Sequence, residues 1–169
     1  DSFLDKIYSG TDIRISVKTR IGKDSAEEFA GLLDIYNKYP MEELIIHPRI
    51  QLDYYKNIPN LDVYRYAENR SVNRLCYNGD VFTLTEYLKL VEGFPKTDRI
   101  MIGRGLLSNP ALVRSICFGE NLDKETFRAF HDRVLKQYCS VISGDRNVLF
   151  KMKELWFYMI VMFEESDKY

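Results

Sequence analysis

The feature that most constrains the fold is a fourfold alternation of short apolar segments with longer helix-like segments. The apolar segments cover residues 13–19, 43–47, 72–77 and 99–103. The first of them is rich in β-branched residues and bounded by Gly10 and Gly22, as is typical of a strand. Because helix-like segments separate the four, the pattern predicts a parallel sheet covered by helices.

Helices are predicted between these strands over residues 24–39, 60–71, 84–91 and 109–118, with a further helix at residues 2–9. We expect Asp24 or Ser25 to cap the first of them, because a side-chain oxygen there can accept the free N–H groups of the first turn. After Gly119 the strands stop, and residues 122–142 and 146–165 read as two helices. The sequence therefore predicts two domains: residues 1–119 with four βα units, and residues 120–169 as an all-α helical domain.

Four βα units fit two architectures, an open doubly wound sheet or half of a (β/α)₈ TIM barrel. A complete barrel needs about 250 residues, and the whole chain has 169. The spacing of strands and helices leaves both architectures open, and both place ligands at the carboxyl ends of the strands.

Each predicted strand ends in polar residues or glycine. In chain order these ends are Lys18-Thr19-Arg20, His47-Pro48-Arg49, Asn78-Gly79-Asp80 and Gly103-Arg104-Gly105. Taken singly, each group has an ordinary structural explanation such as a turn or a solvated strand end. Four of them at the same edge of one sheet indicate a site. Asp80 is its only acid, and glycines let backbone N–H groups approach a phosphate, so the site favours an anionic ligand.

Composition excludes several classes of protein. The net charge is −1, which gives no overall signal for nucleic acid, although a local basic patch remains compatible with it. The three cysteines, Cys76, Cys117 and Cys139, lack CxxC spacing, so we expect neither a disulfide framework nor a metal site. A reducing, cytoplasmic environment fits this pattern. We expect all three thiols to be small, buried apolar groups. The most apolar run, residues 148–163, contains charged residues and is shorter than the roughly 20 residues of a bilayer span, so we expect a core helix and no membrane segment.

The strand-end motifs, in this order, resemble those of the tRNA-dihydrouridine synthases. The matching segments are Val17-Lys18-Thr19-Arg20-Ile21-Gly22, His47-Pro48-Arg49, Asn78-Gly79-Asp80, Gly103-Arg104-Gly105 with Asn109-Pro110, and the basic–aromatic run from Lys151 to Tyr158. Ile50 departs from the family, which often has Thr or Ser there. The resemblance implies that the strands are the last four of an FMN-containing TIM barrel, which is followed by a helical domain.

The resemblance also implies roles for individual residues. Lys18 and His47 would contact the flavin ring or its ribityl chain. The residues expected around its phosphate end are Asn78, Gly79, Asp80, Gly103, Arg104 and Gly105. Arg20 and Arg49 would reach either the tRNA or the flavin edge. In the helical domain, Lys151 and Lys153 would reach the tRNA. The family's catalytic acid is a cysteine in the first half of the barrel, so no catalytic residue is expected in this chain.

By this resemblance the whole protein would reduce uridine in tRNA to 5,6-dihydrouridine, with NADPH as reductant. The chain alone is expected to be inactive, and its half-barrel surfaces would allow it to form a homodimer. Two alternatives stay open at this point. One is another FMN- or phosphate-binding barrel oxidoreductase that acts on a small molecule. The other is a non-catalytic RNA-binding module with a vestigial flavin site.

Overall fold

A computed structural model of the chain describes residues 2–163. Within them four strands form one sheet: β1 Ser16–Arg20, β2 Glu43–His47, β3 Leu75–Tyr77 and β4 Arg99–Ile100. The same residues form eight α-helices: α1 Ser2–Ser9, α2 Glu28–Tyr36, α3 Leu61–Arg70, α4 Leu84–Gly93, α5 Arg104–Ser108, α6 Leu112–Phe118, α7 Lys124–Val141 and α8 Asp145–Met159. Short 3₁₀ helices lie at Gln51–Asp53 and Ile160–Met162.

The order of the strands identifies the architecture. Every strand pairs in parallel with the next strand in the chain, which gives the sheet order β1-β2-β3-β4. A doubly wound sheet reverses its strand order at a switch point, whereas a barrel adds its strands in sequence. The predicted partial TIM barrel, followed by an all-α part, is therefore confirmed.

The strand register separates charged from apolar side chains. Side chains alternate along a strand, and register partners point to the same face of the sheet. One row of partners consists of Lys18, Ile45, Cys76 and Arg99. The adjacent row on the opposite face consists of Thr19, Ile46, Tyr77 and Ile100. The second face meets helix α2, where the hydroxyls of Thr19 and Tyr36 are 2.9 Å apart, so the charged residues are left on the other face.

The chain packs as two compact units. Unit 1 comprises Asp1–Gly79 and Leu90–Met101 and contains the whole sheet. Its buried core includes Phe29, Leu33, Leu44, Ile46 and Tyr64. Unit 2 comprises Asp80–Lys89 and Ile102–Tyr169, and in it α5 and α7 both contact α8. The predicted domain boundary after residue 119 stays a prediction.

Helix α2 begins differently from the prediction. It starts at Glu28, and Glu27 directly before it makes no side-chain capping hydrogen bond. The side-chain oxygen of Ser25 accepts the Glu27 N–H at 3.2 Å. The Glu28 carboxylate accepts backbone N–H groups from Lys23, Asp24 and Ser25 at 3.2, 2.8 and 2.7 Å. These hydrogen bonds stabilise the anion and lower the pKa of Glu28. Ser25, one of the two predicted caps, therefore accepts an N–H group in the turn that leads into α2, and the Glu28 carboxylate accepts the N–H groups that precede it.

The helix predicted at residues 109–118 begins three residues later, at Leu112, and a short helix that was not predicted precedes it. Helix α5 starts directly after Gly103, and α6 follows only at Leu112. Asn109 lies between them with an extended backbone, at φ −132° and ψ 98°. Because Pro110 disfavours a helical conformation for the residue before it, α5 must end at this point.

The cysteines differ from the prediction in their burial. Cys76 in β3 is buried, and burial raises the pKa of its thiol to about 11, so this thiol stays protonated near neutral pH. Cys117 and Cys139 are exposed, and the prediction that all three thiols are buried is wrong for these two. Helix α6 buries Leu112 and Ser115 instead of Cys117.

Within residues 2–163 no helix has the length and hydropathy required to cross a bilayer.

Tyr64 connects α3 to the segment before β4, and this connection provides a test of the fold. The Thr97 hydroxyl donates to Glu68 at 3.1 Å, so the Tyr64 hydroxyl, 3.0 Å away, donates to Thr97. Tyr64→Phe removes this buried hydrogen bond, and we expect the free energy of unfolding to fall by about 1 kcal/mol in urea denaturation. The matched control is Tyr66→Phe on the half-buried side of the same helix, with an expected change below about 0.5 kcal/mol. Equal losses in the two variants would contradict the assignment.

Candidate functional site

Unit 1 brings the ends of its four strands together at one edge of the sheet. Arg20 and His47 are register partners on β1 and β2. The His47 Nδ1–H group donates to the carbonyl oxygen of Asn78, directly after β3, at 2.5 Å. The Asn78 side-chain amide donates in turn to the carbonyl oxygen of Met101, directly after β4, at 2.8 Å. Hydrogen bonds therefore link the last residue of β2 to the residues that follow β3 and β4 along this edge.

His47 presents an unused nitrogen at this edge. Because Nδ1 donates to a carbonyl, the neutral ring carries its proton on Nδ1 and has a lone pair on Nε2. The Nε2 atom is buried and has no hydrogen-bond partner within residues 2–163. Buried polar atoms normally have partners, so this nitrogen is suited to accept a hydrogen bond from a ligand.

The charges around His47 keep its ring neutral. Burial lowers the pKa of His47 most, and the positive charges of Arg20, Arg49 and Lys18 lower it further, against the opposing hydrogen bond to Asn78. Lys18 lies on the same face as Arg20, two positions earlier in β1. Partial burial, and then the charge of Arg20, lower the pKa of the Lys18 ammonium group. The edge thus combines cations with a neutral hydrogen-bond acceptor.

Both predicted arginines of unit 1 contact the loop that follows β2. Arg20 donates to the carbonyl oxygens of Ile50 at 2.7 Å and Tyr54 at 3.1 Å. Arg49 is only 1% exposed, and its Nε donates to the carbonyl oxygen of Asn57. These contacts with the loop were not predicted from the sequence. No local pattern indicates that an arginine at a strand end will donate to a carbonyl more than thirty residues further along the chain.

Gly79 is constrained by packing. A Cβ atom at this position would lie 2.1 Å from the hydroxyl oxygen of Tyr77, whose side chain is buried. Real Cβ contacts do not reach that distance, so any larger residue must displace the Tyr77 ring. The glycine therefore belongs to the structure of the edge, whether or not a phosphate approaches it.

Unit 2 contains the other residues predicted to surround a phosphate. The Arg104 guanidinium forms an ion pair with Asp80 at 2.5 Å and lies 5.6 Å from the ring centroid of Phe82. A Cβ atom at Gly105 would lie 1.9 Å from the carbonyl oxygen of Val81, whereas a Cβ atom at Gly103 would enter open space. Gly105 is fixed by packing, and Gly103 leaves its backbone open to a ligand.

The basic–aromatic run of helix α8 also lies in unit 2. Lys151 pairs with Glu154 at 2.9 Å, and the hydrogen bond to this carboxylate raises the pKa of Lys151. Lys153 lines two open grooves, one of about 470 Å³ with His131 and Trp156 and one of about 590 Å³ with aromatic residues of the same helix. Within residues 2–163 no carboxylate forms a salt bridge with Lys153. Lys153 is therefore better placed than Lys151 to meet an anionic partner.

The donor set fits a phosphorylated organic cofactor. In unit 1, His47 has a buried nitrogen without a partner in the described part of the chain, and Lys18 and Arg20 supply positive charge. In unit 2, taken by itself, Gly103 offers an open backbone. By contrast, the described part of the chain holds no group of three or more His, Cys, Asp or Glu side chains arranged to bind a metal ion. Each unit by itself thus offers groups suited to hydrogen bonding or to negative charge on an organic ligand.

Several known proteins are similar to this chain in sequence. A family model described as dihydrouridine synthase (Dus) matches residues 2–154. The tRNA-dihydrouridine(20/20a) synthase of Haemophilus ducreyi is 29% identical over 62% of this chain and 35% of its own length. A probable tRNA-dihydrouridine synthase of Rickettsia typhi is 26% identical over 81% of this chain and 44% of its own. A tRNA-dihydrouridine(20a/20b) synthase of Schizosaccharomyces pombe is 32% identical over 61% and 31%. The chain thus spans less than half the length of these relatives.

The two glycines of unit 2 should differ in their tolerance of a methyl group. Gly105→Ala drives Cβ into the Val81 carbonyl oxygen, and we expect the free energy of unfolding to fall by about 1–3 kcal/mol or more, as measured by urea denaturation. Gly103→Ala is the matched control, since its Cβ enters open space, and it should cost less than half as much. Equal losses would show that the close approach at Gly105 is incorrect.

His47 should make stability depend on pH. The pKa of His47 is lowered in the folded protein, whereas in the unfolded chain it is about 6.5. As the pH falls, the unfolded chain therefore takes up the proton before the folded protein does. Its contribution to stability is therefore complete above about pH 6.5 and is lost progressively below it. In a His131→Asn background, where His47 is the only histidine, we expect His47→Asn to flatten the decline in stability between about pH 7 and 5. An unchanged decline would mean that the His47 pKa is not lowered by folding.

Proposed function

Because this chain belongs to the dihydrouridine synthase family, we propose that it is the cofactor- and tRNA-binding part of an enzyme that reduces uridine in tRNA to 5,6-dihydrouridine. FMN would be the cofactor and NADPH the reductant. The observation that carries the proposal is the strand-end edge of unit 1, where His47 has a buried nitrogen without a partner and two cations lie on neighbouring positions. The relatives' names, which specify dihydrouridine synthesis in tRNA, support the choice of substrate.

In unit 1 the proposed partner is the flavin ring or its ribityl chain. His47 would accept a hydrogen bond at Nε2 from an N–H or O–H group, since its Nδ1 already donates to Asn78. The Lys18 ammonium would favour negative charge on the ring. FMN, when bound, supplies hydride transfer to the base, and the target nucleotide must leave its stack to reach it.

The proposed phosphate contacts come from glycine and polar groups. Gly103 offers an unobstructed backbone, while Gly79 and Gly105 keep their chain segments closely packed. The Arg104 charge is already shared with Asp80. In unit 2, backbone N–H groups supported by this pair would therefore bind the phosphate.

The proposed tRNA contacts of unit 2 lie on helix α8. Lys153 carries a charge without an ion-pair partner in the described part of the chain, and Phe157 beside it is 74% exposed. A cation beside exposed aromatic rings is the arrangement by which proteins bind phosphates and stack bases. Lys151 is a weaker candidate, because Glu154 offsets its charge.

We expect the chain alone to be unable to reduce uridine. Cys76 is buried with a pKa of about 11 and lies within a strand, and the other two thiols lie on helices. Within unit 1, Cys76 is the one cysteine, and its buried place inside β3 does not suit it to protonate a base, so the acid is proposed to come from elsewhere in the enzyme. Three free thiols are compatible with a cytoplasmic enzyme.

We also propose that two copies of the chain can pair. Strands β1 and β4 each have a neighbour on one side only in the sheet of residues 2–163. Such open strand edges favour association. Sedimentation velocity at rising concentration should show dimers of the 169-residue chain. A monomer at every concentration would contradict the pairing.

The full-length gene product provides the test of the proposed function. We expect it to purify yellow with FMN, to oxidise NADPH in the presence of unmodified tRNA and to form dihydrouridine. His47→Ala should weaken FMN binding at least about tenfold, because a buried hydrogen bond to the ligand is lost, while His131→Ala should leave it unchanged. Protein that binds tRNA but takes up no FMN would indicate a non-catalytic RNA-binding module. Turnover of a small molecule in place of tRNA would indicate a different barrel oxidoreductase.

The two lysines of α8 should contribute unequally to tRNA binding. Lys153→Gln removes an unpaired charge, so we expect a weaker affinity and a salt slope reduced by about one. Lys151→Gln is the matched control and should have a smaller effect, because Glu154 already offsets that charge. Filter binding at several salt concentrations measures both. A larger effect of Lys151→Gln would overturn the assignment.

A further inference from the structure

The loop of residues 50–59, which follows β2, has little apolar packing of its own. Its residues Leu52, Tyr54, Tyr55 and Ile58 are 58%, 65%, 60% and 89% exposed. Tyr54 also has a φ of +50°, a conformation that residues other than glycine adopt at a cost in free energy. A segment that exposes its apolar side chains and contains a strained residue needs polar contacts to hold its conformation.

Arg20 supplies two of these contacts. The Nη1 atom donates to the carbonyl oxygen of Ile50 at 2.7 Å, and Nη2 donates to that of Tyr54 at 3.1 Å. These carbonyls lie on either side of the 3₁₀ turn Gln51–Asp53. The planar guanidinium group reaches the two acceptors from two separate nitrogens, whereas a lysine ammonium has all its donors on one nitrogen and does not match this geometry.

A second set of contacts fixes the far side of the loop. The buried Arg49 donates from Nε to the carbonyl oxygen of Asn57. The Asp53 carboxylate accepts from the Ile50 backbone at 2.9 Å and from the Asn57 side chain at 2.5 Å. Both arginines come from strand ends, so the sheet itself sets the position of the loop.

The loop held in this way lies against the strand-end edge. The ring of Tyr55 meets the His47 ring edge-on at 6.3 Å between centroids, and the Arg20 guanidinium lies 5.8 Å from the same Tyr55 ring. The backbone N–H of Gln51 donates to the Gly22 carbonyl at 2.9 Å. The loop therefore forms a wall beside His47.

We propose that Arg20 and Arg49 are positioning residues that keep the loop of residues 50–59 folded as a ready-made wall of the His47 edge. A preformed wall lowers the cost of ordering the site when a ligand binds. That this wall borders a flavin site rests on the proposed function. The hydrogen bonds by which the two arginines hold the loop do not depend on it. The two arginines thus act on the reaction through the loop, and their direct contact with tRNA stays a separate prediction.

Cleavage by trypsin tests directly whether the arginines keep the loop folded, because the exposed Lys56 lies inside the loop. In the 169-residue chain, we expect Arg20→Lys to raise the cleavage rate after Lys56 about tenfold, since cleavage follows the population of the open loop. Cleavage after Lys96, an exposed lysine elsewhere in unit 1, should not change. Arg14→Lys is the matched control, because Arg14 pairs with Glu42 away from the loop.

Two further measurements separate positioning from general loss of stability. In Arg20→Ala, millimolar methylguanidinium should slow cleavage after Lys56 again and should leave the wild-type rate unchanged. Arg49→Lys should also raise cleavage after Lys56, since it loses the Nε donor. An unchanged rate in all three variants, or an equal rise after Lys56 and Lys96, would overturn the proposal. Because no FMN is added, this result is independent of whether the chain binds a flavin.

Discussion

The hydrogen bond from His47 Nδ1 to the Asn78 carbonyl oxygen connects the sheet to the chemistry of its edge. It exists because β2 and β3 are parallel and in a register that brings the last residue of β2 beside the residue that follows β3. The same bond fixes the tautomer of the ring and leaves Nε2 buried and unpartnered. A different register would turn the ring away from the edge and remove the acceptor. The proposed cofactor contact therefore depends on strand pairing as much as on the histidine itself.

Close packing determines, within each unit, which glycines can be replaced. Tyr77 excludes any side chain larger than glycine at position 79, and the Val81 carbonyl does the same at position 105. These two glycines are structural, whereas Gly103 has open space beside it. Three glycines with the same appearance in the sequence thus have two different physical roles. The distinction matters for mutagenesis, because loss of function at position 79 or 105 would report on folding as well as on a ligand.

The sequence predicted those features that depend on local pattern. Strand β2 was predicted with the bounds that the structure has, because five buried residues between turn signals leave little choice. The polar residues after each strand were predicted to share an edge, since parallel strands put all their carboxyl ends together. Features that depend on distant partners could not be predicted. The Arg20 fork joins residues thirty or more positions apart, and the split between α5 and α6 required the extended conformation of Asn109 before Pro110.

The central claim is that His47 Nε2 accepts a hydrogen bond from bound FMN. Nitrogen NMR of the imidazole rings during an FMN titration tests this directly, because the chain has only two histidines. We predict that the Nε2 resonance of His47 moves toward the hydrogen-bonded position as FMN binds, while the signals of His131 stay in place. FMN that binds without moving the His47 resonance would contradict the account.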